Sequence, residues 1–179
     1  MDDLDVTLLD LFTAEPRIGV LEASRRLGVA RGTVQSRLDR LAADGVVTGW
    51  APHLSPEALG YPVTAFLTLE IRQGAGHESV ADHLAEVPEV LEAHTITGAG
   101  DMWARVVARS NADLQRVIDL VLDDPAIVRS STVIALAEQV PHRVLPLARA
   151  SLSGAGGRPR RPRRPPAAPP PTRRPAGPA

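Results

Sequence analysis

The stretch VLEASRRLGVARGTVQSRLDRLAADG, Val20 to Gly45, constrains the chain more than any other. It holds two helical apolar periodicities with a glycine between them. A helix of roughly eight residues does not stand alone in water, so each half must bury its apolar side against neighbours. Leu21, Ala23 and Leu27 mark the inner side of a helix over Val20–Leu27, and Gly28 falls where a chain leaving a helix often needs positive φ. A further helix is predicted from about Arg31 to Ala43, stopping at Asp44-Gly45. Upstream, Leu4, Leu8, Leu9, Leu11 and Phe12 lay an apolar stripe along a first helix that ends before Pro16. Downstream, Val46-Val47-Thr48 and Trp50 read as a short extended element, a wing or hinge. The pattern is a winged helix-turn-helix.

At about 100° per residue, Val34, Leu38 and Leu41 share the buried sector of the third helix. The opposite sector holds Gly32, Ser36 and Asp39, flanked by Thr33, Gln35 and Arg40, while Arg31 and Arg37 lie nearer the buried edge. A helix that reads DNA needs small residues so its backbone can approach, and polar groups for base edges and phosphates. Gln35 can pair with adenine, and Arg40 can meet guanine or a phosphate. Charge supports the same reading: Ser24–Ala43 holds five arginines (25, 26, 31, 37, 40) and one acid, inside residues 1–150 with 13 arginines and 21 acids. Solvated arginines on an ordinary helix give the same count. The predicted DNA-binding residues are Arg31, Gly32, Thr33, Gln35, Ser36, Arg37 and Arg40.

After a Pro/Gly-punctuated linker at 51–62, the periodicity changes. Val63, Ala65, Leu67, Leu69 and Ile71 alternate with Thr64, Thr68, Glu70 and Arg72, a strand with one core face. A helix at about Glu78–Glu86, strands at Val90–Thr97 and Met102–Arg109, a helix capped by Asn111 through Leu122, and a strand at Val128–Leu136 follow. The order βαββαβ predicts a ferredoxin-like α+β sandwich over 63–140. Residues 151–179 contain seven arginines, no acid and many prolines, and are predicted to be a disordered basic tail. Such a tail either adds salt-dependent, sequence-independent DNA affinity or is an idle extension.

Several classes of function find no support. Cysteine is absent, excluding disulfides, thiolate metal sites and a cysteine nucleophile. The acidic start MDDLDVTLLDLF lacks the basic region of an export signal. No apolar run approaches the roughly 18 residues of a membrane span, so a cytoplasmic protein is expected. None of His53, His77, His83, His94 and His142 pairs at a zinc-ligand spacing, so no metal is expected. No P-loop, nucleophile–base pair or paired-carboxylate motif appears, and neither catalytic residues nor a cofactor are predicted.

Four segments, LDVTLLDLF, SRRLGVARGTVQSRLDRLAADGVVTGW, LSPEALGYPVTAF and TITGAGDMWARVVA, resemble the Lrp/AsnC family of feast/famine regulators, over about residues 3–140. The resemblance implies a DNA-binding domain at 1–50 and an effector-binding, dimerising sandwich at 63–140. It also implies dimers that can assemble further, to octamers, and an amino-acid effector. On this likeness Asp101 orients an ammonium group, the Gly98 and Gly100 amides meet a carboxylate beside Ala99, and Ser131 and Thr132 offer hydroxyls. Without it, Asp101 reads as a turn residue. Two departures stand out: Ala30 replaces the family's usual serine cap, and Gly100 occupies its usual aromatic position. Two other classes remain open. Sirohaem decarboxylases share the architecture, with His94 the one candidate ligand here; a metabolite sensor without DNA binding is the other.

Overall fold

Asp2 and Asp5 start the first helix by capping each other. The Asp5 amide donates to Asp2 Oδ1 at 3.0 Å and the Asp2 amide to Asp5 Oδ2 at 2.8 Å, a capping box with aspartate at both ends. They open α1 (Asp3–Ala14) in the computed structural model, which describes residues 1–74 and 76–155. The next helices are α2 (Val20–Leu27) and α3 (Arg31–Ala43). Gly28 ends α2 in the left-handed region at φ +66°, where its amide and that of Val29 recover carbonyls of the last turn. Leu8, Ala23, Val34 and Leu38 form the core, ringed by Leu4, Leu11, Phe12, Ile18, Val20, Leu27 and Val29. Leu21, expected inside, is 50% exposed. Ser24 takes the inner position instead and donates its hydroxyl to the Leu21 carbonyl at 2.8 Å. Two small inner residues, Ala23 and Ser24, let α2 pack closely.

No strand forms between α3 and residue 63. The segment expected to be an extended wing is irregular and joins no strand ladder among the described residues. It folds back instead: the Val46 and Val47 amides share the Leu41 carbonyl at 2.9 and 3.0 Å, and the Trp50 ring meets Phe12 edge-on, centroids 5.5 Å apart.

Residues Ala51–Pro141 form a second unit. Its elements are β1 (Val63–Ile71), α4 (His77–Glu86), β2 (Val90–Thr95), β3 (Met102–Ala108), α5 (Asn111–Val121) and β4 (Ile127–Ile134). They make an antiparallel sheet of order β2-β3-β1-β4, the expected ferredoxin-like topology. The alternation read in β1 holds: Ala65, Leu67 and Leu69 face a core built with Val80, Leu84, Met102, Ala104, Val106, Leu114, Val117 and Val121. Some boundaries shift. β2 stops at Thr95, and β4 starts at Ile127 and ends before Leu136, which is fully exposed. Ser110, not Asn111, caps α5, its hydroxyl accepting the Asp113 amide at 3.0 Å. Two adjacent residues were competent to cap, and the backbone turned helical one residue earlier.

One helix is absent from the sequence reading: α6 (Leu145–Ala155), which packs against α1. Leu145, Ala148 and Leu152 are half-buried at helical spacing, and Arg149 binds Asp10 through Nη2 at 2.7 Å and Nε at 3.1 Å. Pro146 sits in its first turn, where proline is tolerated. Residues from His142 therefore belong with Met1–Trp50. Ser151–Ala155, expected in the disordered tail, are helical. The rest of that expectation, over 156–179, lies outside the described residues.

Candidate nucleic-acid interface and effector loop

Helix α3 presents the face read from its periodicity. Val34, Leu38 and Leu41 are buried; Arg31, Gly32, Gln35, Ser36, Asp39 and Arg40 are exposed, and Thr33 and Arg37 are half-buried. No side chain caps the first turn at Ala30. A Cβ on Gly32 would meet nothing within 4 Å, so nothing around it in the chain requires glycine there. Gln35 donates to Asp39 Oδ1 at 2.8 Å, which lays its amide along the helix surface. The Ser36 hydroxyl donates to the Thr33 carbonyl at 3.2 Å.

The arginines are arranged differently from expectation. Arg37 Nη1 reaches Asp2 at 2.6 Å and Asp5 at 2.7 Å; Arg40 Nη2 reaches both Asp5 oxygens at 2.7 and 2.8 Å. Arg26 pairs with Glu15 and Glu22, and Arg25 approaches Glu22 at 3.8 Å. Arg31 alone of the five has no ion pair among the described residues. The positive window counted along the chain is largely neutralised by acids from α1, α2 and the turn between them.

Asp5 was not singled out in the sequence, yet it is fully buried. It stands three residues before Leu8, an acid inside the apolar stripe of α1, and that was the available signal. Burial alone would raise its pKa. The Asp2 amide and the Arg37 and Arg40 guanidiniums outweigh burial and hold it below the usual carboxylate value. Hydrogen bonding to Arg37, then to the Asp5 amide, lowers Asp2 likewise.

In the second unit, the turn from β2 to β3 carries Gly98 and Gly100 at φ +117° and +119°. A Cβ on Gly100 would lie 2.5 Å from Thr68 Cγ2 and 3.2 Å from the Leu69 carbonyl oxygen, so no side chain fits. The aromatic residue usual at this position is excluded here by β1. Asp101 bolts the turn to β1 where its register shifts. Its Oδ2 accepts the Ile71 amide at 2.7 Å, its amide donates to Leu69 at 2.8 Å, and its carbonyl accepts from Ile96 at 2.9 Å. The Gly100 amide is also occupied, by the Gly98 carbonyl at 3.1 Å.

The hydroxyl residues do not join this turn. Ser131 pairs with Thr68 and Thr132 with Leu67 on β4, the far side of β1 from β3, about 10 Å away across two strand spacings. As successive strand residues, Ser131 and Thr132 also point to opposite sheet faces. His94 lies on the face away from the helices, 5.8 Å from the Trp103 ring and 3.4 Å from Glu92. Among the described residues no cluster of three His, Cys, Asp or Glu could hold a metal, and no helix is long and apolar enough to cross a membrane.

Residues 1–42 match the model of the AsnC-type helix-turn-helix domain, and 64–145 that of the Lrp/AsnC ligand binding domain. A Pyrococcus abyssi protein described as an HTH-type transcriptional regulator is 33% identical over 118 residues, 66% of this chain and 74% of that protein. The regulatory protein AsnC of Escherichia coli is 28% identical over 147 residues, 82% and 97% of the two chains. Its solved structure superposes with a TM-score of 0.75 at 27% identity, covering 82% of this chain and 99% of AsnC. A Neisseria meningitidis transcriptional regulator solved as an L-methionine complex gives 0.75 at 25% identity, covering 84% and 99%.

Proposed function

Because the chain belongs to the Lrp/AsnC family, as a metabolite-responsive, DNA-binding transcriptional regulator and not an enzyme, we propose how its residues divide that work. Helix α3 enters the major groove of double-stranded DNA with Arg31, Gly32, Thr33, Gln35 and Ser36 toward the bases and backbone. Arg37 and Arg40 serve chiefly to hold α3 on α1 through Asp5, with the exposed edge of Arg40 beside the phosphates. The observation that carries this reading is Gly32, an exposed glycine at the start of a helix with open space around it. Enrichment of binding sites from random duplexes tests it. A single recurrent motif is expected, and Arg31→Ala should weaken binding to every sequence while lowering the salt slope by about 1. Absence of any enriched motif would overturn it.

The effector is an amino acid, in keeping with the L-methionine bound by the Neisseria relative, and the protein acts in the cytoplasm. It lies against the turn at Gly98 and Ala99, whose amides meet its carboxylate, with the second oxygen of Asp101 toward its ammonium group. Ser131 and Thr132 contribute from the same chain only by a separate contact. A thermal-shift screen of the amino acids is expected to find a stabilising one. Asp101→Asn can still accept the Ile71 amide, so it should fold normally and lose that shift; a retained shift would remove Asp101 from the site.

The sheet supports a reading of self-association. Helices α4 and α5 cover one face, and among the described residues no element of that unit covers the other, which carries Phe66, Trp103 and the 62%-exposed Val133. Phe66 and Trp103 stack with centroids 5.2 Å apart, and a second copy would bury both. The protein is thus a homodimer whose two α3 helices address two half-sites, with higher assembly open to effector control.

A further inference from the structure

We propose, on the DNA-binding reading above, that Asp39 sets the base preference of α3 by holding the Gln35 amide in one orientation, so that the helix selects adenine and rejects guanine. Asp39 is exposed and shares the outward sector of α3 with Gly32 and Ser36. An acid there faces a polyanion and weakens binding to every duplex alike. No arginine of α3 offsets it among the described residues: Arg37 and Arg40 turn to Asp2 and Asp5 of α1, and Arg31 has no ion pair. Asp39 accepts instead from Gln35 Nε2 at 2.8 Å, one helical turn back.

That bond has a direction. A carboxylate only accepts, so Gln35 must turn its NH2 group to Asp39 and its Oε1 the other way. An unheld glutamine could present either end to a base. The held amide offers its oxygen and the second hydrogen of its nitrogen, the acceptor and donor that match N6 and N7 of adenine. Guanine presents O6 and N7, two acceptors, and would set an oxygen against Oε1. The same spacing makes the same bond on α5, between Gln115 and Asp119, also at 2.8 Å. The bond itself therefore comes from the i, i+4 spacing. Particular to α3 is its place on the face of Gly32, where open space surrounds the backbone. Asp39 is thus a positioning residue that lowers affinity and sharpens discrimination.

Site selection from random duplexes, with full-length wild type, Gln35→Ala, Asp39→Asn and Asp39→Glu in parallel, tests this role. Gln35→Ala identifies the position that Gln35 reads, because the preference there should vanish. At that position wild type should favour adenine over guanine about tenfold. Asparagine has the size of aspartate but donates as well as accepts. Asp39→Asn should therefore cut the ratio to about twofold and leave the rest of the motif in place. Asp39→Glu keeps an acceptor-only carboxylate and should retain most of the preference. The lost charge should also raise the affinity of Asp39→Asn for a mixed-sequence duplex about threefold, a gain that a merely helix-stabilising bond would not give. A wild-type motif that Gln35→Ala or Asp39→Asn leaves unchanged would overturn the role of Asp39 alone. So would a change at different positions in the two variants, an equal loss in Asp39→Glu, or an affinity that does not rise. No motif from wild type would instead overturn base reading by α3, and the role of Asp39 with it.

Discussion

Gly32 and Gly100 are glycines for opposite reasons. At Gly100 the chain itself forbids a side chain, because Thr68 and Leu69 of β1 occupy the space and φ is +119°. At Gly32 a methyl group would touch nothing, and helical φ suits any residue. Alanine there should stabilise the unit by up to about 1 kcal/mol through helix propensity. If the groove presses against this point, Gly32→Ala should also weaken DNA binding severalfold. A variant that melts higher and binds equally well would take Gly32 out of the interface. The outward placement of Gly32 was legible from helical periodicity alone. The open space around it was not, since that depends on what the other helices leave uncovered.

The element most in need of explanation is α3, which has no side-chain cap and lies against α1 through a buried acid. Asp5 is matched by Arg37 and Arg40. Asp5→Asn keeps the shape but removes the charge both guanidiniums face, and should cost about 1–3 kcal/mol in chemical denaturation. A loss below a few tenths would show that the clamp is idle. Its pH dependence has a definite sign. A carboxylate whose folded pKa lies below its unfolded value of about 3.9 stabilises the fold above that pH. The contribution disappears as pH falls through that value toward the lower folded pKa. Difference between wild type and Asp5→Asn should therefore be full at neutral pH and shrink below about pH 4. Trp50, packed on Phe12, offers a fluorescence reporter for this unit. The bounds of helices α2 and α3 were legible because apolar spacing and Gly28 are local signals, although Leu21 faces outward and not in. Helix α6 was not, because Pro146 and a run of small residues give weak periodicity without α1 as partner.

For the whole molecule, the second unit has one face of its sheet covered by helices and one open within that unit. Trp103→Asp would place a charge among the stacked rings of the open face while sparing the core behind it. It should convert a dimer to a monomer in light scattering, with the circular dichroism unchanged. A persistent dimer would locate the interface elsewhere.

The order of the elements from α1 to β4, the helix pair α2 and α3, and the ferredoxin-like topology were set by the sequence itself. Periodicities of 3.6 and 2 residues, with glycine and proline as punctuation, act over short distances and survive without knowledge of neighbours. Charge pairing and site assembly were decided only by the tertiary structure. Asp5 meets Arg37 from 32 residues away, and Asp101 meets the Ile71 amide from 30. The same folding separates Ser131 and Thr132 from the turn they were expected to join and brings α6 back to α1. Counting arginines along the chain suggested a basic surface; folding sets four of those five against carboxylates, two of them across to Asp5 of α1.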